Sequence, residues 1–314
     1  MGDILVVGSI NMDIINKVER HPSVGETISA LETETGPGGK GANQAVAASR
    51  MGSQVTLAGA VGTDSYGEEL LALLNGENVN TERIIVKEGL TGLAFITVNG
   101  AGHNHIIVSP GANGKLSEAD LLPLMPELNQ AKALIVQNEI PWAVSVYIIK
   151  EARARNVKVL ANPAPVEHFP VTILPSIDLL IVNQHETEAL TGLQAKDRAQ
   201  AVQAAQRLLD LGGNAVVLTL GEQGVIYLDR NGEYFREALQ VNAVDTTAAG
   251  DTFIGALASS IVKGKTTQEA VDWACAAAAI CVTRKGAIPS IPYWEEVRAL
   301  IEEANAIERG QSVK

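Results

Sequence analysis

Two carboxylates bracket a turn of small residues in the stretch 245–253, DTTAAGDTF, which leads into an apolar segment. Small residues before a helix let a phosphate approach the backbone closely, and the amides near Gly250 would point at it. Asp251 stands where a carboxylate could take a proton from a hydroxyl nucleophile during phosphoryl transfer. An aspartate that merely caps a buried helix is the alternative. The pairing of Asp245 with Asp251 around the turn favours a functional site.

A second candidate is the glycine-rich stretch 36–43, GPGGKGAN, at the start of a predicted helix. Such a turn would offer free amides to an anion or a polar ligand, helped by the helix dipole. It is not a Walker A loop, because Gly41 follows Lys40 where Ser or Thr is required. A tight turn with an incidental lysine explains the spacing equally well.

Two polar pairs follow predicted strands. Asn183 and Glu186 share one face of a first helical turn and could hold a hydrated Mg²⁺ near phosphates, although they also form a good helix cap. Asn11 and Asp13 alternate along an extended segment and could bind neighbouring sugar hydroxyls. Turn chemistry is the simpler explanation of that second pair when it is taken alone.

Short apolar runs alternate with helical stretches, which predicts a parallel sheet covered by helices on both faces. Ligands of such sheets bind beyond the carboxyl ends of the strands, so chemistry is expected just after each strand. Strands are predicted at 4–7, 55–61, 133–136, 158–160, 179–182 and 215–218, and helices at 40–51, 141–155 and 198–211.

Two stretches, 13–35 and 93–109, break this alternation. The second is typical of a β-hairpin with a glycine-rich turn, so we predict a small β-sheet appendage. The remaining core is expected at 1–12, 36–92 and 110–305, with a flexible tail at 306–314.

The composition disfavours several classes of protein. The 314 residues are 46% hydrophobic and 19% charged, with a formal charge of −12, which fits a globular chain and disfavours nucleic acid or an anionic membrane as partner. The longest apolar run is too short to span a bilayer, and no signal peptide is recognised. Two cysteines exclude a disulfide scaffold and suit a reducing cytosol, so a cytoplasmic location is expected.

Taken together, these motifs resemble the ribokinase family of carbohydrate kinases. The resemblance runs from about residue 3 to 304 and rests on the stretches 8–13 (GSINMD), 38–43 and 245–253, in the family's order. It implies a three-layer α/β sandwich with a mostly parallel central sheet and a β lid. It also implies transfer of phosphate from ATP to the 5-hydroxyl of D-ribose, with Mg²⁺ and K⁺ as cofactors.

The resemblance assigns roles residue by residue. Asp251 matches the catalytic base, and the amides of Ala248, Ala249 and Gly250 match the anion hole. The sugar-binding positions match Asn11, Asp13, Gly39, Lys40, Asn43 and Glu139. The nucleotide-binding positions match Asn183, Thr219, Leu220, Gly221, Glu222, Gln223, Gly224, Gly250 and Cys275.

Cations and oligomeric state follow from the same resemblance. Glu186 matches a residue linked to Mg²⁺ through water. The K⁺ loop matches Asp245, Thr247, Cys281, Arg284, Gly286 and Ser290. The appendage matches a lid that closes over the sugar and forms a homodimer contact. Departures from the family pattern are Cys275, where Asn or His is usual, and His103, where an acidic residue is usual.

Three other functions are compatible with an α/β chain of this kind to different degrees. A kinase for 2-deoxyribose, another sugar or a nucleoside would use the same motifs. A non-catalytic sugar-binding protein on this fold would be expected to lose the base or the anion hole, and both are intact. A dehydrogenase would need Gly-x-Gly-x-x-Gly after the first strand, and residues 8–11 do not supply it.

Overall fold

The computed structural model describes residues 2–308, and side chains as far as residue 304. Two sheets are formed by strands β1 (Ile4–Val7), β2 (Asn11–Lys17), β3 (Glu32–Gly38), β4 (Val55–Val61), β5 (Val79–Val86), β6 (Gly92–Val98), β7 (Asn104–Ser109), β8 (Ala133–Val136), β9 (Lys158–Ala161), β10 (Leu179–Asn183), β11 (Ala215–Thr219), β12 (Val225–Asp229) and β13 (Gly232–Arg236). The helices are α1 (Lys40–Arg50), α2 (Ser65–Gly76), α3 (Glu118–Leu121), α4 (Met125–Leu128), α5 (Trp142–Ala154), α6 (Gln184–Thr191), α7 (Arg198–Asp210), α8 (Ala249–Val262), α9 (Thr267–Cys281) and α10 (Trp294–Glu308).

The large sheet has nine strands in the order β13-β12-β11-β10-β9-β8-β1-β4-β5. Pairing is parallel from β11 to β5, and β12 and β13 add an antiparallel edge. At the centre, Val7 is in register with both Ala58 and Val136, so β1 and β8 end at the same level, while β4 continues to Val61. The predicted parallel sheet is confirmed, and its carboxyl edge is a single surface for ligands.

Helices cover both faces, as the alternation predicted. Residues of β1 point alternately into two cores: Ile4 and Val6 join one formed largely with α1, α8 and α9, while Leu5 and Val7 join the other, formed largely with α5 and α7. Each of these four side chains is at most 1% exposed. Burial on both faces explains why the parallel strands are apolar runs rather than alternating sequences.

The second sheet has four strands in the order β3-β2-β6-β7. Strands β2 and β3 lie at the two ends of the first stretch that breaks the alternation, 13–35, and the hairpin β6–β7 forms the second, 93–109. In the hairpin, Val98 pairs with Asn104 beside the turn. Asn11, the first residue of β2, is in register with Gly38 and Gly92. Only three residues separate it from Val7, the last residue of β1, so the two sheets meet at this point of the chain.

The end of the chain differs in part from expectation. Helix α10 extends to Glu308, so residues 306–308 are helical where a flexible tail was predicted. The rest of that predicted tail, 309–314, lies outside the described residues. Within the described part of the chain, none of the helices has the length and apolarity needed to cross a bilayer.

Candidate active site

Asp251 lies in the first turn of α8 and is 8% exposed. Asn43 Nδ2 donates a hydrogen bond to its Oδ2 over 2.9 Å, and Gln44 Nε2 donates to its Oδ1 over 2.8 Å. Both donors come from the first turns of α1, so two segments about 200 residues apart in sequence meet at one carboxylate. Gln44 was not among the predicted site residues; an amide directly after Asn43 was its only signal.

The turn before α8 offers backbone amides within the predicted stretch 248–251, with one of them engaged inside the turn. The amide of Ala249 donates to the Thr246 carbonyl over 3.3 Å, so it is already engaged. For the amides of Ala248, Gly250 and Asp251, no acceptor is found among residues 2–308. The first amides of a helix lack intrahelical partners, and an anion can satisfy them. The candidate anion hole therefore consists of Ala248, Gly250 and Asp251.

At the start of α1 the amides of Lys40, Gly41 and Ala42 are not free, which favours the tight-turn alternative at these positions. The amide of Lys40 donates to Glu139 Oε2 over 3.2 Å, that of Gly41 to Ser9 Oγ over 3.4 Å, and that of Ala42 to the Ser9 carbonyl over 3.0 Å. The protein satisfies these donors itself. At these three positions, attraction for an anion comes from the Lys40 side chain and not from the amides.

The Lys40 ammonium lies among carboxylates. Burial lowers its pKa, but the surrounding carboxylates more than compensate, so the pKa is raised above that of an ordinary lysine. Those carboxylates are Asp251, Glu139, Glu186 and Asp13. Lys40 therefore stays protonated and provides a positive charge between the sugar-side and nucleotide-side groups.

The predicted sugar-binding residues converge on one side of Asp251. Burial, followed by the charges of Glu139 and Asp251, raises the pKa of Asp13 to about 7, while Lys40 opposes the shift. Gly38 lies directly against Asp13, since a Cβ there would stand 2.3 Å from the carboxylate oxygens. Gly38 thus leaves room for that carboxylate, and Gly39 continues the turn with a positive φ of 92°.

Two buried residues that the sequence analysis missed hold the sugar-side groups. Ser9 Oγ donates to Glu139 Oε2 over 2.5 Å. Asn113 Nδ2 donates to Asn11 Oδ1 over 2.8 Å, and the Asn113 side chain also bonds both backbone groups of Ile10 at 3.0 Å. Since Asn11 accepts through Oδ1, its Nδ2 is left to donate to a ligand. Both residues lie too far from their partners in sequence to be recognised by spacing.

A cavity of about 240 Å³ opens beside Asp251 at the carboxyl edge of the sheet. Its walls come from strand ends β10 and β11, from the turn before α8 and from Lys40. The lining residues are Lys40, Asn162, Ile181, Val182, Asn183, Glu186, Thr219, Thr246, Ala248, Ala249, Gly250, Asp251 and Ile254. A donor-rich wall with one lysine suits a phosphate chain.

Asn183 and Glu186 cap α6 and also line the cavity. The Asn183 amide donates to Glu186 Oε2 over 2.9 Å, and the Glu186 amide donates to Asn183 Oδ1 over 2.8 Å. The two interpretations of this pair, a helix cap and a cation-binding pair, are therefore compatible, because the cap fixes the side chains and the pair still faces the cavity. Burial raises the pKa of Glu186, while the Asn183 amide, Lys40 and Asn162 oppose the shift.

The remaining nucleotide-side residues form a loop after β11. Thr219 lines the cavity, Leu220 is 2% exposed, and Gly221, Glu222 and Gln223 make one 3-10 turn before Gly224. Cys275 is different: it is buried on α9, outside the residues that line the cavity. Burial and the charge of Asp272 raise the pKa of the Cys275 thiol to about 12.

The predicted cation-loop residues cluster behind the anion hole. Asp245 Oδ1 accepts from the Thr247 amide over 2.9 Å, and its Oδ2 accepts from the Gly286 amide over 2.9 Å. Burial raises the pKa of Asp245, but the Thr247 hydroxyl and these two amides outweigh it and hold the pKa below its usual range. Cys281 Sγ lies 3.1 Å from Ser290 Oγ. The Arg284 side chain instead pairs with Glu296.

Comparisons with known proteins agree with this architecture. Residues 1–294 match the model of the pfkB family carbohydrate kinases. The ribokinase of Haemophilus influenzae is 37% identical over 95% of this chain and 98% of its own length. The crystal structure of a ribokinase from Thermotoga maritima is 38% identical and superposes with a TM-score of 0.87, covering 96% of this chain and all of its own. An Arabidopsis thaliana ribokinase solved with ribose and ATP also gives 0.87, at 33% identity, covering 96% of this chain and 99% of its own.

The chain belongs to the pfkB family of carbohydrate kinases. It is therefore an enzyme that transfers phosphate to an alcohol group of its acceptor. Among the members of that family, its resemblance to ribokinases extends over nearly the whole chain.

Proposed function

We propose that this enzyme phosphorylates D-ribose at the 5-hydroxyl with ATP, producing ribose 5-phosphate and ADP. The observation that carries the proposal is the position of Asp251, with amide-held carboxylate oxygens on one side and the free amides of the α8 turn on the other. Ribokinases that match along the whole chain, one of them solved with ribose and ATP, support the choice of acceptor.

In this mechanism Asp251 accepts the proton of the 5-hydroxyl as its oxygen attacks the γ-phosphate. The amides of Ala248, Gly250 and Asp251 stabilise the charge that develops on the transferred group. Asn11, Asp13 and Glu139 hold the other hydroxyls. A positioned base contributes about 10²–10⁴-fold in rate, so most of the remaining acceleration comes from orientation and charge stabilisation.

Lys40 connects the two halves of the site. Its ammonium faces sugar-side carboxylates and also lines the nucleotide cavity. In that place it would draw the phosphate chain towards the acceptor and compensate the net negative charge of the surrounding carboxylates.

We place Mg²⁺ near Glu186, through water. The carboxylate and amide oxygens of Glu186 and Asn183 are hard ligands of the kind that Mg²⁺ prefers, and helix capping already fixes them. When bound, Mg²⁺ neutralises charge on the phosphates.

We place K⁺ in the Asp245 loop. Asp245 supplies the carboxylate there, and the hydroxyl or carbonyl oxygens of Thr247 and Ser290 lie beside it, a set of hard oxygen ligands. The choice of K⁺ follows from the resemblance to ribokinases. The loop runs directly into Ala248, so ordering it orders the anion hole. Cys281, Arg284 and Gly286 would contribute through backbone carbonyls.

The four-stranded sheet is proposed to act as lid and as homodimer contact. It carries the sugar-binding Asn11 and Asp13 at one end, so its closure would exclude water from the acceptor. Its hairpin exposes Phe95 at 39%, Ile106 at 53% and Ile107 at 70%. Apolar strand surface of this kind is typical of an interface. Replacing Ile107 with lysine should shift a dimer towards monomer in sedimentation velocity; an unchanged mass would contradict the contact.

A cytoplasmic location remains part of the proposal. Both cysteines, Cys275 and Cys281, are free and buried, as a reducing compartment allows.

The acceptor is tested by initial rates of ADP release with MgATP and ribose, 2-deoxyribose, fructose or adenosine, each with and without K⁺. We expect the highest kcat/KM with ribose and stimulation by K⁺, with phosphate on C5 by ³¹P NMR. Preference for another acceptor would overturn the ribose assignment while leaving Asp251 and the fold in place. Absence of turnover with all four would favour a binding protein.

A further inference from the structure

Behind Asp251 lies a series of buried amides that the phosphoryl-transfer mechanism does not use. Gln44 and Gln137 are 0% and 1% exposed. Gln137 Nε2 donates to Gln44 Oε1 over 2.7 Å, and Gln44 Nε2 donates to Asp251 Oδ1 over 2.8 Å. The series therefore runs from the end of β8, through α1, to the carboxylate at the start of α8.

The direction of these bonds follows from chemistry. An ionised carboxylate only accepts hydrogen bonds, so Gln44 must present its NH₂ group to Asp251. Its carbonyl oxygen then faces the other way and needs a donor, which Gln137 supplies. Because an unpaired buried polar group costs about 1–3 kcal/mol, Gln44 is held in a single orientation between Asp251 and Gln137, whose own Oε1 has no partner among the described residues.

The backbone leaves space for this arrangement at one particular point. A Cβ on Gly8 would stand 1.9 Å from Gln137 Oε1, so only glycine fits after β1. Gln137 itself follows the last residue of β8, the strand that pairs with β1. Two central strands thus define where the series begins, and Asn43 fixes the second oxygen of the same carboxylate.

We propose that Gln44, held by Gln137, is a positioning residue that sets the orientation of the Asp251 carboxylate for proton transfer. With Asn43 on Oδ2 and Gln44 on Oδ1, the carboxylate cannot rotate, and a lone pair remains for the acceptor hydroxyl. This inference rests on the proposed role of Asp251 as the base. Gln44 is fully buried, so its loss should affect turnover and leave ribose affinity nearly unchanged.

The test replaces Gln44 with Met, which keeps a similar length and volume but removes the donor. We expect kcat to fall about 10- to 100-fold, the worth of a hydrogen bond to a charged group, with the ribose Kd from calorimetry within about twofold. Gln137→Met should give a smaller fall in kcat. The control is Gln203→Leu on the exposed side of α7, which should match the parent.

Three results would overturn the proposal: parental kcat in Gln44→Met, an equal loss of ribose affinity and kcat, or a kcat loss that disappears when rates are corrected for folded fraction. Should Gln44→Met not fold, Gln137→Met decides in the same way. Asp251→Asn, measured in parallel, distinguishes a failure of the positioning role from a failure of the proposed base. If Asp251→Asn is inactive while Gln44→Met turns over like the parent, Asp251 remains the base and the positioning role of Gln44 is wrong. If Asp251→Asn itself turns over like the parent, the assignment of Asp251 as the base is wrong.

Discussion

Gly255 on α8 lies so close to α1 that a Cβ added to it would stand 2.5 Å from the Cβ of Ala47. Gly255 is one helical turn after Asp251, and Ala47 is one turn after Asn43. The close approach of these helices therefore brings the Asn43 amide to the Asp251 carboxylate.

Gly255→Ala should accordingly damage both stability and catalysis. The added methyl has to push α1 away from α8, which costs about 1–3 kcal/mol and lengthens the hydrogen bonds to Asp251. Denaturant titration and kcat measure the two effects. Gly76→Ala at the end of α2 is the matched control, because a Cβ there meets nothing within 4 Å and should be neutral or stabilising. Equal behaviour of the two variants would contradict the argument.

Ribose binding should depend on pH through Asp13. Its pKa of about 7 means that the free protein takes up a proton there as the pH falls through neutrality, and a protonated Asp13 accepts hydroxyl protons less well. We expect the KM for ribose to rise below about pH 7. Asp13→Asn should raise this KM about 10- to 100-fold and remove that pH dependence. A flat KM profile in the parent would contradict it.

The same group makes a prediction about stability. The pKa of Asp13 is raised in the fold, so the folded state binds the proton more tightly than the unfolded chain, whose value is near 3.8. The free energy of unfolding should therefore fall as pH rises from about 4 to about 7 through this group. Asp13→Asn should stabilise the ligand-free protein at pH 8 and have little effect at pH 4. Thermal melts at the two pH values measure the difference, and the opposite order would contradict the pKa.

Ala248 precedes α8 in the left-handed conformation, at φ 58° and ψ 9°. This conformation costs a non-glycine residue roughly 1 kcal/mol, which glycine would not incur. Ala248→Gly should raise the thermal midpoint by a few degrees, provided that the turn keeps its shape. A lower midpoint would show that the Ala248 methyl contributes more than the strain costs.

Removal of Asp245 tests the cation loop. Asp245→Ala deletes the carboxylate that binds the Thr247 and Gly286 amides, so the loop before the anion hole should lose order. We expect stimulation by K⁺ to disappear and kcat to fall, while the protein still folds. The readout is the ratio of rates with K⁺ and with choline. A ratio equal to that of the parent would exclude this loop as the K⁺ site.

The sequence predicted the parts of the fold that local patterns encode. The parallel strands at 55–61 and 133–136 were found because burial on both faces makes them apolar runs, and the helix at 198–211 because glycines follow it. The hairpin β12–β13 was not predicted: β12 has three buried residues, but β13 has none and so lacks the apolar run by which the parallel strands were found. Its antiparallel edge depends on tertiary pairing with β11, which no local pattern reports.

The sequence predicted the reacting groups of the site better than it predicted the residues that position them. Asp251, Asn43 and Asn183 stand in motifs with compact spacing, but which amides stay free was decided by tertiary contacts. Ser9 and Glu139 come from separate strand ends and occupy the amides of α1. The Ala249 amide is engaged by a turn that the sequence does not specify. Hydrogen bonds across more than a hundred residues have no signature in one sequence.

The most direct test of the account is the turnover of Asp251→Asn with ribose and MgATP, measured beside its ribose affinity. Asparagine keeps the size of the side chain but cannot take the proton of the 5-hydroxyl. We expect kcat to fall about 10²–10⁴-fold with the ribose Kd changed no more than a few-fold. Turnover close to that of the parent would remove Asp251 from the mechanism.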